Sequence, residues 1–387
     1  MLHISDSDHY AKEYAECWCK SSYDNEEVGI TVDHMDGKEV ECRHQRSIKE
    51  RSILILRIIK WMLSVIILVI IGGLLLVNLT PVPFIHWLRS QPEAALAAPS
   101  NWAELEQLVE VHKDLTYPST FKSNEIDLYL PKDRVGKLPT ILWVHGGAFV
   151  SGDKSGTAYW CTMMASKGYA VLSMNYEVAP EARYPAPVLQ MTEVYQYLEE
   201  LTDFPSLDLE RLIVGGDSAG AQIASQFIAI QTNADLAQRT GIEQVVPEES
   251  IQAALLYCGP YNVKQLASVT GRLEKFFLNQ LGWAYIGTRN WKDGTEAEEA
   301  STTNHVTSDF PPTFITDGNT GSFEKHGKEL EARLKEANVP VKSLFYPLSH
   351  GVVQHEYQFQ LNTKEALECF GMTLAFLEEH LQERDKQ

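Results

Sequence analysis

The chain has 387 residues, of which 44% are hydrophobic and 22% are charged. This balance is ordinary for a globular protein and suits one large domain with additions. The formal net charge of −19 repels phosphate backbones, which argues against a nucleic-acid partner. The six cysteines form no CxxC pair and are too few for a disulfide framework. Cys17 and Cys19, near His3 and His9, carry only a weak metal-binding pattern.

An apolar run near the N-terminus predicts a membrane anchor. Residues 1–50 are predicted to form a loosely ordered polar tail, in which Met35 is a second candidate for the first residue. Within the predicted anchor, residues 51–80, the stretch 61–79 (WMLSVIILVIIGGLLLVNL) contains no charged residue. As a helix it spans about 28 Å, close to the hydrocarbon thickness of a bilayer. We therefore expect one transmembrane helix that binds the lipid bilayer through residues 61–79.

The charges beside this run predict its orientation. Only Arg89 follows within about fifteen residues of the far end, whereas the near side is basic. The basic residues on the near side are Arg43, Arg46, Lys49, Arg51, Arg57 and Lys60. Basic flanks stay in the cytoplasm, so we expect a cytoplasmic N-terminus and an extracytoplasmic body at the cell membrane. A cleaved signal peptide is the alternative, but its small-residue site at 95–97 lies unusually far beyond the apolar run.

Strands and helices alternate through the rest of the chain. Residues 81–109 are predicted to be a linker with a possible helix, and the segment NWAELEQLVEVH has a helix-like pattern. The predicted strands are SNEIDLYL, PTILWVHGG, YAVLSMNYE, RLIVGGDS, QAALLYCG, PPTFITDG and VKSLFYP. Amphipathic segments separate most of them, and an aromatic-rich stretch at 261–300 interrupts the rhythm. This alternation predicts an α/β domain with a mostly parallel sheet covered by helices on both faces.

A serine between glycines is the first candidate for chemistry. Ser218 lies in Gly216-Asp217-Ser218-Ala219-Gly220, a G-x-S-x-G pattern between a predicted strand and a predicted helix. In such a turn the serine adopts a strained conformation and exposes its hydroxyl as a nucleophile. A phosphate-binding loop is excluded because Ala221 and Gln222 follow, rather than lysine and serine or threonine.

A second motif supplies an oxyanion-binding loop. Residues 143–149 (WVHGGAF) end another predicted strand, and the N–H groups of Gly146 and Gly147 can approach a developing oxyanion closely. The Ala219 N–H at the start of a helix adds a third donor. These three groups are the predicted oxyanion hole.

Together the two motifs resemble those of the hormone-sensitive-lipase-like branch of α/β-hydrolase esterases. Residues 145–149 are similar to its HGGGF motif and residues 216–220 to its GDSAG motif; 311–315 resemble the segment before its acid. The similarity covers about 110–385. The resemblance implies an α/β-hydrolase domain over 110–387, an oxyanion hole at Gly146, Gly147 and Ala219, and a structural role for His145. It also implies a small helical cap, to which residues 81–110 and 261–300 would correspond.

Two histidines follow the last predicted strand, and one of them should be the catalytic base. His350 lies nearer the usual offset from the strand. His355 precedes Glu356-Tyr357-Gln358-Phe359, whose aromatic residues would fix the ring, as a general base requires. Both resemble the family's H-G-F ending in part. We favour His355.

The acid that should orient this histidine is missing from its expected place. The family places an aspartate where this chain has Gly321. Asp317 and Glu324 are the nearby carboxylates, and we favour Asp317. A Ser–His dyad, with the ring held by a backbone group or by the hydroxyl of Thr320 or Ser322, is the third option. Loss of an orienting acid can cost on the order of 10⁴ in turnover.

The sequence thus predicts a membrane-anchored serine carboxylesterase or lipase-like hydrolase. Its predicted catalytic residues are Ser218, His355 and Asp317, and its partner is a small-molecule ester. No metal and no organic cofactor is implied, and neither acyl length nor oligomeric state can be read from the sequence. The alternative is a tethered hydrolase-fold binding protein with weak or no activity, which the glycine at position 321 favours.

Overall fold

The computed structural model describes residues 37–92, 96–247 and 249–382. The chain divides into two compact units, Met1–Gly72 and Gly73–Gln387. Helix α1 spans Gly37–Leu79, so it begins before the predicted anchor start at residue 51. Its Gln45–Leu79 part is long and apolar enough to cross a membrane, and its apolar side chains are exposed. The possible metal pattern at Cys17 and Cys19 lies outside the described residues.

An eight-stranded sheet forms the centre of the second unit, in the order β1-β2-β4-β3-β5-β6-β7-β8. Strands β1 and β2 are antiparallel to their neighbours, and all other pairs are parallel. The strands are β1 Val109–Thr116, β2 Glu125–Pro131, β3 Leu138–Val144, β4 Ala170–Met174, β5 Leu207–Asp217, β6 Ile251–Tyr257, β7 Thr313–Asp317 and β8 Val341–Phe345. The predicted mostly parallel α/β sheet is confirmed.

Strand β1 was not expected from the sequence pattern. The helix-like segment at 101–112 is helical only over Trp102–Leu108. From Val109 onward the backbone pairs with β2, with Val109 opposite Pro131. Pairing with a sheet edge satisfies the backbone N–H and C=O groups of this segment and overrides its helical periodicity.

Helices cover both faces of the sheet, as the predicted fold requires. The helices after α1 are α2 Val82–Arg89, α3 Trp102–Leu108, α4 Ala158–Ala165, α5 Ala186–Glu200, α6 Ala219–Gln231, α7 Ala234–Thr240, α8 Arg272–Ile286, α9 Thr295–Glu299, α10 Glu324–Glu336 and α11 Lys364–Gln382. Every residue of α6 is buried. Its polar Gln222 and Gln226 donate to the carbonyls of Ala300 and Glu299, so their burial leaves no amide unpaired.

The two segments predicted to form a cap contact each other. The Phe84 ring of α2 lies 5.6 Å from the Phe276 ring and 5.5 Å from the Phe277 ring of α8, both edge to face. Such pairs add to the stabilisation from apolar burial. The function of these segments as a cap stays a prediction.

Candidate active site

Ser218 lies at the turn between β5 and α6 with a backbone that few residues adopt. Its φ is 51° and its ψ is −119°, a costly conformation that the packing around it must maintain. A Cβ on Gly216 would lie 2.6 Å from the carbonyl carbon of Gly220, and one on Gly220 would lie 2.1 Å from the Val144 oxygen. The two flanking glycines are therefore sterically required, and the turn directs the Ser218 hydroxyl into a cavity.

The structure places His355, and not His350, beside this serine. His355 Nε2 is 2.9 Å from Ser218 Oγ. Burial lowers the pKa of His355 to about 4, so the ring is neutral near pH 7 and Nε2 can accept the serine proton. His350 lies 2.9 Å from Glu365 Oε1 instead and packs against Tyr346.

The other ring nitrogen of His355 faces a hydroxyl. Its Nδ1 is 2.6 Å from Ser322 Oγ, and the Ser322 hydroxyl in turn donates to Asp317 Oδ1. If Nε2 accepts from Ser218, Nδ1 carries the proton and donates to Ser322. Asp317 therefore reaches the ring through Ser322 rather than by a direct hydrogen bond. Burial raises the pKa of Asp317 to about 8, against the effect of the Ser322 hydrogen bond.

The remaining candidates for the orienting group lie elsewhere. Glu324 begins α10 and pairs with Lys328 at 2.7 Å. Thr320 donates its hydroxyl to Asn319 Oδ1 at 2.8 Å. Gly321 has a φ of +61°, in the left-handed region where a side chain is disfavoured. The sequence identified Ser322 only as one of several options, because a serine in a loop carries no signal of its partner.

The oxyanion loop requires one correction. The Gly146 N–H donates to Asp217 Oδ2 at 2.8 Å, so it is already engaged by the protein and is not available to an oxyanion. Within the described part of the chain, the N–H groups of Gly147, Ala148 and Ala219 have no protein acceptor. Ala148 has a φ of 56° and stands where the HGGGF motif has its third glycine, which is the signal that could have identified it.

Asp217 connects the oxyanion loop to the serine turn and was missed by the sequence analysis. It accepts hydrogen bonds from Trp143 Nε1 at 2.9 Å and from the Gly146 N–H. Burial, reinforced by the nearby Glu356 carboxylate, raises the pKa of Asp217 well above its usual range. The position of Asp217 and Trp143 at the ends of adjacent strands is the signal that links them.

Glu356 also lies in the site, although the sequence analysis assigned it no role. Its carboxylate lies 3.7 Å from His355 Nε2, and its φ is 57°. The family motif has glycine at this position, which adopts such a conformation without strain. This chain therefore holds a carboxylate beside His355 where the motif that it resembles has glycine.

A cavity of about 1090 Å³ opens onto Ser218 and His355. Its wall is largely apolar. The residues of the wall belong mainly to α2, α8, the oxyanion loop and the loops after β7 and β8. The apolar lining residues are Leu88, Leu96, Trp102, Phe149, Tyr159, Leu266, Phe277, Leu278, Leu281, Phe323 and Phe359. Polar and charged side chains, including Arg89, Asp153 and Glu274, also line the cavity. The apolar part of its wall suits an ester with an apolar part.

One group of described residues has the donors to hold a metal ion. The ligand atoms of Cys258, Asp317 and His355 lie within 4.8 Å of one another. Burial raises the pKa of the Cys258 thiol well above its usual range, and a neutral thiol is a poor ligand. Asp317 and His355 already bind Ser322. These residues therefore fit a proton-transfer site better than a metal centre.

The mostly parallel sheet, with Ser218 at the turn after β5 and His355 beside it, defines an α/β-hydrolase fold. The chain belongs to the BD-FAE family, whose model matches residues 126–328, just over half of its length. The matched range includes Ser218, the oxyanion loop, Asp317 and Ser322, and His355 lies beyond it.

Several esterases are similar to this chain. A probable carboxylic ester hydrolase of Mycobacterium tuberculosis is 23% identical over 54% of this chain and 48% of its own length. An acetyl esterase of Salmonella paratyphi A is 27% identical over 54% of this chain and 63% of its own. The chain thus matches about half of the length of the first relative and just under two thirds of the length of the second.

Solved structures share the fold. Esterase B of Lactobacillus rhamnosis superposes with a TM-score of 0.66 and 22% identity, over 76% of this chain and 90% of that one. A bacterial heroin esterase gives a TM-score of 0.57 and 22% identity, over 72% and 88% of the two chains. At these identities the likeness establishes the α/β-hydrolase fold.

Proposed function

We propose that this protein is a membrane-anchored serine carboxylesterase that cleaves carboxylic esters through an acyl-enzyme. The observation that carries the proposal is the 2.9 Å separation of Ser218 Oγ and His355 Nε2 in the wall of a largely apolar cavity. A nucleophile and a neutral base within hydrogen-bond reach are the arrangement that acyl transfer needs. The ester hydrolases and esterases among its relatives support the same reaction.

The reaction follows from these groups. Ser218 Oγ attacks the ester carbonyl carbon while His355 Nε2 takes the hydroxyl proton. The N–H groups of Gly147, Ala148 and Ala219 donate to the oxygen that becomes negative in the tetrahedral intermediate. His355 then gives its proton to the leaving alkoxide, which departs as an alcohol and leaves an acyl-serine. A water, activated by the same base, releases the carboxylic acid and restores Ser218.

Ser322 and Asp317 complete the proposed machinery as positioning residues. Ser322 holds Nδ1 of His355 in the protonated tautomer, which leaves Nε2 free to act as a base. Asp317 holds the Ser322 hydroxyl in turn. The contact with Ser322 weakens the alternative of an inactive binding protein, because that alternative depended on the missing acid at Gly321.

The proposal also includes a membrane anchor and a class of substrate. The exposed apolar helix over Gln45–Leu79, with its basic N-terminal flank, supports a single span with the body outside the cytoplasm. The apolar wall of the cavity supports an ester with an apolar acyl or alcohol part. A related structure, esterase B, is described as inhibited by a tributyrin phosphonate, which makes short acyl esters suitable first probes.

Labelling with a fluorophosphonate probe tests the proposal on the full chain in detergent. The wild type should be labelled and should hydrolyse p-nitrophenyl butyrate, and Ser218→Ala should lose both properties. His355→Ala should lower kcat by on the order of 10⁴ or more, whereas the matched His350→Ala should stay within about twofold. A folded wild-type protein that is neither labelled nor active would favour the binding-protein alternative.

A further inference from the structure

An exposed apolar cluster lies on helices α2 and α8. Leu273 is 86% exposed, Trp87 is 55% exposed and Phe276 is 42% exposed. The Phe84 ring joins the two helices, because it lies 5.7 Å from the Trp87 ring and 5.6 Å from the Phe276 ring. Leu273 precedes Phe276 by three residues on α8 and so shares its face. We call Phe84, Trp87, Leu273 and Phe276 the apolar rim.

The apolar rim borders the catalytic cavity. Helix α2 contributes Leu88 to the cavity wall, and α8 contributes Phe277, Leu278 and Leu281. Leu88 directly follows the rim residue Trp87, and Phe277 directly follows Phe276. The rim therefore lies next to the wall of the cavity that contains Ser218.

Gln280 on α8 and Arg289 just after it contact the last turn of the apolar helix α1, and that turn belongs to the same compact unit as α8. Gln280 Nε2 of α8 donates to the Val77 carbonyl at 3.4 Å, and the Arg289 guanidinium donates to Asn78 Oδ1 at 3.4 Å. Only Thr80 and Pro81 separate α1 from α2. When α1 spans a bilayer, its last turn lies at the boundary of the hydrocarbon region, and groups in contact with that turn lie at the level of the lipid headgroups.

The residues in and around the rim are of types that favour a position at the lipid headgroups. Tryptophan is enriched at membrane interfaces, because its ring is apolar and its N–H can bind water or headgroups. Three basic residues, Arg272, Lys275 and Arg289, and one acidic residue, Glu274, are exposed on or near α8, which gives this surface an excess of positive charge in a chain whose net charge is −19. Basic side chains beside an apolar face favour contact with anionic lipid headgroups.

We propose that the apolar rim rests on the bilayer that α1 spans, and that the cavity takes its substrates from that bilayer. The substrates are then esters with an apolar part that partitions into lipid. This inference rests on the proposed esterase function and anchor. It adds the route of substrate entry and the lipid surface as the partner of the rim.

The test uses the full chain in vesicles of phosphatidylcholine with a minor fraction of phosphatidylglycerol. Hydrolysis of water-soluble p-nitrophenyl acetate is compared with hydrolysis of a long-chain fluorogenic ester dissolved in the vesicles. Leu273→Asp should lower the second rate about tenfold, because it removes the insertion of a leucine-sized apolar group, and should leave the first within about twofold. Leu367→Asp, a half-exposed leucine on α11, is the matched control and should change neither rate.

Three outcomes would contradict the inference or its basis. Equal loss of both rates in Leu273→Asp would indicate damage to the site rather than loss of lipid contact. An unchanged rate on the vesicle ester would remove the rim from substrate entry; if Leu273→Asp also converted a dimer to a monomer, the rim would instead be an interface between two copies of this chain. A wild type inactive on both esters would refute the proposed function itself, which distinguishes that failure from failure of this inference.

Discussion

At the scale of single residues, Ser322 is the group that connects His355, the proposed base, to the Asp317 carboxyl. A hydroxyl can accept a hydrogen bond from one neighbour and donate one to another. It therefore passes the orienting effect of Asp317 to His355 across a gap that a direct hydrogen bond does not bridge. In this chain Gly321 leaves the usual acid position empty of a side chain, and the next residue supplies the ring with its partner.

We predict that Ser322→Ala lowers kcat by on the order of 10²–10⁴ and changes KM little, because the ring loses the group that selects its tautomer. Ser322→Thr keeps a hydroxyl and should retain most of the activity. Thr320→Val is the neighbouring control, because the Thr320 hydroxyl bonds Asn319 and not the ring. Steady-state kinetics on a soluble ester measures all three. Full turnover in Ser322→Ala would mean that another group holds His355.

The raised pKa of Asp317 predicts a pH dependence. Burial raises this pKa to about 8, so the carboxylate forms as pH rises through about 8 and can then stabilise the imidazolium through Ser322. We expect kcat to increase with pH toward that value and Asp317→Asn to lose this increase. Glu324→Gln should keep the increase and move it to somewhat lower pH, because the Glu324 carboxylate is one of the charges that raise the pKa of Asp317. An Asp317→Asn profile identical to that of the wild type would assign the increase to another group.

The raised pKa of the Asp317 carboxyl also predicts how the stability of the protein changes with pH. Its pKa is about 8 in the folded protein against 3.8 for the free side chain, so the unfolded chain loses this proton first. The free energy of unfolding should therefore fall as pH rises from about 4 to about 8. Asp317→Asn cannot ionise, so it should be more stable than the wild type at about pH 9 and comparable at about pH 4, as measured by urea denaturation.

At the scale of elements, the oxyanion loop depends on a close approach of two backbone segments. Gly147 has a φ of +122°, and a Cβ there would lie 2.0 Å from the Ser151 oxygen. The Ser151 N–H donates back to the Gly147 carbonyl at 2.9 Å. The loop is thus a tight turn whose geometry directs the N–H groups of Gly147 and Ala148.

We predict that Gly147→Ala lowers the free energy of unfolding by about 2–4 kcal/mol and nearly abolishes turnover, since the clash is with backbone atoms that cannot rotate away. Gly168→Ala is the matched control. Gly168 also has a positive φ, +97°, but a Cβ there would meet nothing within 4 Å, so only the conformational cost of about 1 kcal/mol remains. Urea denaturation and ester turnover measure both effects. Equal costs at the two positions would show that the clash is relieved by loop movement.

At the scale of the whole molecule, the apolar helix and the hydrolase body predict a topology. Basic residues cluster before the apolar run and Arg89 follows it, which favours a cytoplasmic tail. Protease added to intact cells should degrade the body and spare the segment before Arg51, and the same treatment of lysed cells should degrade both. Protection of the body would reverse the orientation. A mature chain that begins near Pro99 would replace the anchor with a cleaved signal peptide.

The amino-acid sequence by itself determined the features that depend on neighbouring residues. The apolar run follows from hydropathy alone, the alternation of strands and helices from local periodicity, and the serine turn from glycines that flank Ser218 in the chain. The edge strand β1 was missed, because its conformation depends on pairing with β2.

The tertiary structure decided which of two histidines, five residues apart, lies beside Ser218. It also decided that Ser322 lies between His355 and Asp317. It showed that Asp217 occupies the Gly146 N–H. These contacts join loops at the carboxyl ends of different strands, and a hydrogen bond between loops requires positions to within a few tenths of an ångström. Sequence spacing does not carry that information; the packing of the sheet and its helices does.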